Sequence, residues 1–425
     1  MSMNRVVLLL KPEEEASKLS FKYLLKVDNN WEEFKKLYNA ELRPVEIEEV
    51  EKMLNCGSQE NGFVTYICPH CGKQKVIPFS CKSRICTRCG KRHADEWAEK
   101  LNSELFDVVH RHIVLTVTDK LWPYFEHNSI LQKLLMDTAA KAMLRIIKQF
   151  NTGKEDITAG MVVVLHPFGS DLKAKSHIHI LVTEGGLTKD NRWINMPYID
   201  YGVIRKIWQY EILKAMKKQL PEDTTLTAII DWCYRNKTNG FTIFAKSRIK
   251  GKTKAAIRYV GRYVRHPAIS NQRIIDYNGQ YVTFGYKKDK LPHQMILRKF
   301  SFVRAVLKHI PDKHFKMVRY YGLYARNLKA KTHKIMQDLK RFIKKIILKF
   351  SWRENRTRYT GSDPLLCEGC GTKMELYSIN YRAGPELKTI GGIDWITEGE
   401  IPDYVVEEEK EEKNRHQVYM PQLQY

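Results

Sequence analysis

The sequence predicts an α+β protein, with a largely antiparallel central sheet flanked by helices, a zinc-ribbon-like segment ahead of it and a basic helical region behind it. Three observations carry this expectation. Short β-like runs ("HIVLTV", "GMVVVLH", "HIHILVT", "GFTIFAK") are interleaved with long stretches of helical period such as "SILQKLLMDTAAKAMLRIIKQF". Some of those runs are joined by tight turns, as in "QRIIDYNGQYVTFGY", where Asn278-Gly279 supplies the positive φ angles of a hairpin. Six of the nine cysteines, Cys56, Cys68, Cys71, Cys81, Cys86 and Cys89, crowd into one N-terminal segment, which suits metal ligation better than a disulfide framework.

Taken in order, residues 1–54 read as a helical arm ("NWEEFKKLYNAELRPVEIEEVEKML"), broken by Pro44. Residues 55–100 read as the zinc-binding ribbon, with a helix starting near Ala94. Residues 101–300 hold the interleaved strands and helices, including "YGVIRKIWQYEILKAMKKQL" and a helix over "KTKAAIRYVGRYVRH" that Pro267 ends. Residues 301–425 read as basic and helical ("KAKTHKIMQDLKRFIKKIILKF"), with a closing "EEEKEEK" run that reads as a solvated tail.

The chain of 425 residues is 43% hydrophobic, enough for more than one core. Lysine and arginine outnumber aspartate and glutamate 72 to 48, a formal charge of +24 that attracts polyanions, nucleic acid first among them. A membrane is not expected as a partner: no apolar stretch approaches the ~18 residues a span requires, and no amphipathic helix segregates Trp or Phe from Lys. The cysteine usage implies a reducing cytosol.

Zinc takes tetrahedral thiolates, and a Cys-x-x-Cys-Gly turn offers two sulfurs to one ion. Cys68/Cys71 and Cys86/Cys89 are expected to share one zinc, with 14 residues between Cys71 and Cys86. Cys56 and Cys81 stand as alternates or as part of a second site. The lone Cys367/Cys370 pair has no obvious second pair nearby, so a partial metal site and ordinary packing both stay open.

On a strand, His177 and His179 of "SHIHILVTEGG" point to one face, with ring positions about 7 Å apart, so both can reach one divalent ion. His110-Arg111-His112 shares the pattern, but its arginine would repel a cation. The turn leading into the strand offers Asp171 as third ligand, and the preceding strand offers His166. Asp171 is the favoured one, because oxygen suits the Mg²⁺ or Mn²⁺ of phosphate chemistry. Tyr259 and Tyr263 lie four apart on a helix and so share a face. Arg258, Arg262 and Arg265 surround them, and Lys252 and Lys254 precede them, a setting that draws a phosphate backbone. Tyrosine is a poor nucleophile near its ordinary pKa of about 10, so attack needs an electrophile polarised by a nearby ion.

With these residues in view, the sequence resembles the two-tyrosine HUH transposases of rolling-circle insertion sequences, the IS91 family. The likeness rests on "SCKSRICTRCGKRHADEWA", "RHIVLTV", "LHPFGSDLKAKSHIHILVTEGGL", "GFTIFAK", "RYVGRYVRHPAIS" with "RIIDYNGQYVTF", and "KHFKMVRYYGLYARN". It implies an RRM-like HUH nuclease core with a Mg²⁺ or Mn²⁺ cofactor on His177 and His179. It further implies cleavage of single-stranded DNA at transposon ends and in target DNA by Tyr259 and Tyr263 through 5′-phosphotyrosine, in a cytoplasmic, nucleoid-associated protein. Val64 stands where many relatives carry a histidine. Two other readings compete: a non-catalytic zinc-ribbon DNA-binding protein, and a zinc hydrolase built on His-x-His.

Overall fold

The computed structural model describes residues 7–9, 19–150, 156–196, 200–245, 267–288, 291–339, 353–354, 357, 361–384 and 386–391. Its strands are β1 (Val7–Leu9), β2 (Phe63–Ile67), β3 (Gln74–Pro78), β4 (His110–Thr116), β5 (Gly160–Phe168), β6 (Ala174–Thr183), β7 (Gly185–Leu187), β8 (Trp193–Asn195), β9 (Ile243–Ala245), β10 (Ile274–Tyr277), β11 (Tyr281–Lys288), β12 (Leu291–Arg298), β13 (Val318–Gly322), β14 (Glu375–Ala383) and β15 (Glu386–Gly391). The helices are α1 (Phe21–Lys26), α2 (Asn30–Leu37), α3 (Pro44–Leu54), α4 (Thr87–Glu104), α5 (Trp122–Phe125), α6 (Ser129–Phe150), α7 (Tyr201–Gln219), α8 (Thr224–Asn236), α9 (Lys299–Leu307) and α10 (Lys329–Asp338). The chain forms two compact units, each assembled from separate stretches: residues 1–18, 52–81 and 348–425 in one, residues 19–51 and 82–347 in the other. They are called the cysteine unit and the histidine unit below.

The histidine unit is built on a five-stranded sheet in the order β13-β5-β6-β4-β9, antiparallel throughout. Strand alternation sends Ile113 and Leu115, Met161, Val163 and Leu165, and Ile178, Ile180 and Val182 to one face, where they join Leu135, Ala139, Met143 and Ile146 of α6 and Trp208 and Ile212 of α7 in the main core. The three- and four-residue spacing of those α6 side chains is the apolar stripe the sequence displays. The Asn128 side chain caps that helix by accepting the Leu131 N–H at 2.9 Å, and Asp200 caps α7 by accepting from Gly202 and Val203. On the other face Val162, Val164 and Leu181 meet Ala98 and Leu101 of α4, Leu323, Tyr324, and Met336 of α10.

An antiparallel meander, β10-β11-β12, stands apart from this sheet. Its first turn is the expected hairpin: Gly279 has φ +92° and the Asn278 carboxamide oxygen accepts from the Gln280 and Tyr281 N–H groups. The N-terminal helices pack here, with Phe21 edge-on to Phe302 at 6.1 Å and Asn30 donating to the Tyr277 hydroxyl at 2.9 Å.

The cysteine unit holds the sheet β1-β3-β2-β14-β15, in which β1 runs parallel to β3 and the other pairs are antiparallel. Two features differ from the sequence expectation. The region after residue 300 is not helical throughout: β13 pairs with β5, and β14 and β15 extend the cysteine sheet. The β14 signal is masked because its buried positions Ser378 and Asn380 are polar; they satisfy each other and Thr389 by hydrogen bonds. In addition, the helix expected near Ala94 begins at Thr87, with Cys86 as its N-cap, so Cys89 lies in a helical turn. Among the described residues no helix is long and apolar enough to cross a membrane.

Candidate metal centres

The central sheet register decides which histidines meet. On β6, His177 and His179 share parity with Leu181, so they face away from the main core. The β5–β6 pairing sets His166 directly opposite His177 and Val164 opposite His179. One candidate ligand atom from each of His166, His177 and His179 lies within 4.8 Å of the others. His166 Nδ1 and His177 Nε2 are 2.9 Å apart. That spacing matches cis ligands at ~2.1 Å on an octahedral ion, whose edge is about 3 Å. The second ring nitrogen of His177, Nδ1, donates to the Lys175 carbonyl at 2.5 Å, which turns Nε2 toward the cluster. Burial, with repulsion from the neighbouring imidazoles next, pushes the His166 pKa well below its usual value; burial likewise lowers that of His177 despite the Lys175 carbonyl. Both rings are therefore neutral at pH 7, the form that coordinates.

Asp171, expected as third ligand, is not in this group. Its carboxylate pairs with Lys175 at 2.9 Å across the turn, and His166 takes the place beside the pair. A further histidine that the sequence argument set aside lies close by. His112 Nε2 is 2.9 Å from His179 Nδ1, with the rings stacked at 5.1 Å. The arginine of that motif gives no objection, because alternation sends Arg111 to the opposite face, where it pairs with Glu184. Tyr259, Tyr263, Arg258, Arg262, Arg265, Lys252 and Lys254 lie outside the described residues.

In the cysteine unit Cys68 and Cys71 converge with Cys367 and Cys370, all four sulfurs lying within 4.8 Å of one another. The sequence expectation joined Cys68/Cys71 to Cys86/Cys89; the structure joins them to the C-terminal pair. The reason is strand pairing: β14 lies against β2, with Glu375 opposite Ile67, so the turns beside these ends meet. Cys56 follows α3 and Cys81 precedes α4, while Cys86 and Cys89 are buried at the start of α4.

Comparison with known proteins gives the family. A family model described as "Putative transposase" matches residues 160–332, which include the histidine strands, and one described as "Transposase zinc-binding domain" matches residues 26–117. The transposase for insertion sequence element IS801 of Pseudomonas savastanoi pv. phaseolicola is 30% identical over 349 residues, covering 78% of this chain and 83% of the relative. "Putative transposase y4qJ" of Sinorhizobium fredii is 26% identical over 293 residues, covering 64% and 72%. No solved structure matches the chain. The class so defined is a transposase that carries its own zinc-binding domain. Within that class, the chain belongs to the IS91 family of insertion-sequence transposases.

Proposed function

We propose that this transposase cuts and rejoins single-stranded DNA at transposon ends and in target DNA by forming 5′-phosphotyrosine on Tyr259 and Tyr263, in rolling-circle fashion. The observation that supports the reading best is the convergence of His166, His177 and His179 on one face of an antiparallel sheet. In this reading the sheet and its helices are an RRM-like HUH nuclease core, with His166 in the role the sequence argument gave to Asp171.

The donor set suits a divalent cation. Three neutral imidazoles with oxygen positions left for water and phosphate favour Mn²⁺ over Mg²⁺, which prefers an all-oxygen shell. Bound there, the ion would draw charge from the non-bridging oxygens of the scissile phosphate. A tyrosine hydroxyl gives up its proton to solvent as its oxygen attacks phosphorus, the P–O3′ bond breaks and the departing 3′ oxygen takes up a proton; the new O–P bond stores the energy for rejoining. Arg258, Arg262, Arg265, Lys252 and Lys254 are proposed to hold the phosphate backbone, and a cytoplasmic, nucleoid-associated location follows from that partner. Zinc is the proposed structural metal, with Cys56, Cys81, Cys86 and Cys89 retained as ligands because they fall inside the matched zinc-binding segment.

The test is incubation with labelled single-stranded DNA and Mn²⁺, followed by boiling in detergent. The expected result is label bound covalently to protein, lost in Tyr259→Phe combined with Tyr263→Phe. Binding without an adduct points to a non-catalytic DNA-binding protein, and cleavage without an adduct to a hydrolase; either overturns the proposal.

A further inference from the structure

We infer that one structural zinc ion is held by Cys68, Cys71, Cys367 and Cys370, so that a single zinc ribbon is closed by two stretches of chain 296 positions apart. The two stretches make the same turn. Cys68 N–H donates to the Lys73 carbonyl at 2.8 Å and Gly72 N–H to the Cys68 carbonyl at 2.9 Å; Cys367 N–H donates to the Thr372 carbonyl at 2.9 Å and Gly371 N–H to the Cys367 carbonyl at 2.9 Å. Gly72 at φ +69° and Gly371 at φ +71° close the two turns in the left-handed region that glycine tolerates. Each turn therefore presents its pair of thiols in the same way, as the halves of a tetrathiolate site do.

The sulfur spacing is that of a zinc site and not of disulfides. Cys68 and Cys370 are 3.5 Å apart, Cys71 and Cys367 3.5 Å, and Cys71 and Cys370 3.7 Å. Four sulfurs at ~2.3 Å from a tetrahedral ion stand about 3.8 Å apart, whereas a disulfide closes to ~2.05 Å. Four thiolates fill the coordination shell and leave no open position, so the ion's role is structural. Apolar packing beneath the site is slight: Cys68, Cys367 and Met374 are its buried members, with Tyr66 against them. Among the described residues, the ion thus supplies cohesion that so small an apolar cluster does not, and it joins the C-terminal segment to the N-terminal one.

The experiment measures zinc per chain in the full-length protein, purified under reducing conditions. Replacing both Cys367→Ser and Cys370→Ser is expected to remove one zinc equivalent per chain relative to the parent. Because that variant could misfold, Cys370→His is measured beside it; it keeps four ligands and is expected to retain the parent zinc content. With Co²⁺ in place of zinc, Cys370→His should lose thiolate-to-cobalt charge-transfer intensity, since one sulfur has become nitrogen. Parent zinc content in the double serine variant, or a cobalt spectrum that Cys370→His leaves unchanged, overturns the assignment. Neither readout involves DNA, so failure here and failure of the nuclease reading are separate results.

Discussion

Replacing His166 separates two versions of the nuclease site. If His166 is the third ligand, His166→Ala removes one of three imidazoles whose donor atoms lie within 4.8 Å of each other. Loss of even an outer hydrogen-bonding partner of a metal ligand weakens binding about 10–100-fold, so loss of a ligand should cost at least ~100-fold in Mn²⁺ affinity, about 2.8 kcal/mol. Asp171→Ala removes instead an ion pair with Lys175, whose side chains are 12% and 37% exposed. A pair of that exposure is worth about 0.5 kcal/mol, which predicts less than about a threefold change in affinity. Titrating Mn²⁺ into the full-length variants by calorimetry gives both numbers, and thermal melts without added Mn²⁺ show whether each variant is folded. A folded Asp171→Ala variant with ~100-fold weaker binding, beside a His166→Ala variant that binds normally, would refute the all-imidazole site.

Three further outcomes follow from the same geometry. His112→Ala should weaken Mn²⁺ binding about 10–100-fold by releasing the ring of His179, and His112→Asn, whose carboxamide oxygen can accept from His179 Nδ1–H, should recover part of it; equal affinities for the two variants would show that the ring is only packing. Burial pushes the His110 pKa down to about 4, against the contrary pull of the Val108 carbonyl. Between about pH 6.5 and 4 the unfolded chain therefore binds a proton there that the folded chain does not, so stability falls as pH drops through that window, at up to ~1.4 kcal/mol per pH unit for this group; melts of His110→Gln should show a correspondingly shallower decline. Gly322 ends β13 at φ +57°, and a Cβ there would sit 1.8 Å from the Ala159 carbonyl oxygen, so Gly322→Ala should destabilise the chain by more than about 2 kcal/mol in denaturant unfolding.

The long elements were legible because a single period dominates each. In α6 the buried Leu135, Ala139, Met143 and Ile146 lie three or four positions apart, and β6 carries its buried isoleucines at alternate positions. The grouping of His177 with His179 needed only strand alternation. The same rule places His112: the alternation that unites the flanking histidines also sends Arg111 to the far face, so its charge says nothing against a neighbouring cation site. His166 was harder to place. In a regular antiparallel hairpin opposed residues share a constant sum of positions, and the turn that pairs Phe168 with Ala174 would by that rule set His166 against Ser176; a one-residue register shift between His166 and Phe168 sets it against His177 instead. Chemical preference for an oxygen ligand favours Asp171, but register constrains more strongly because it fixes which side chains can meet at all, and the bulge hides that register from the sequence.

The cysteine pairing shows a different kind of limit. Three segments carry the same signature, Cys68-Pro-His-Cys71-Gly72, Cys86-Thr-Arg-Cys89-Gly90 and Cys367-Glu-Gly-Cys370-Gly371. Proximity along the chain favoured the first two as partners, yet loop closure is a weak guide: its entropic cost grows only with the logarithm of length, about 0.6 kcal/mol per doubling. What distinguishes the segments is the sequence after each glycine. After Gly72 and Gly371 come Lys73-Gln74-Lys75-Val76 and Thr372-Lys373-Met374-Glu375, which run into β3 and β14. After Gly90 comes "KRHADEWAEKL", with the helix formers and spacing of α4, so Cys89 lies in the first turns of a helix that starts at Thr87. Matching the two strand-leading turns to each other, and setting the helix-leading one aside, selects the partners that strand pairing between β2 and β14 brings together.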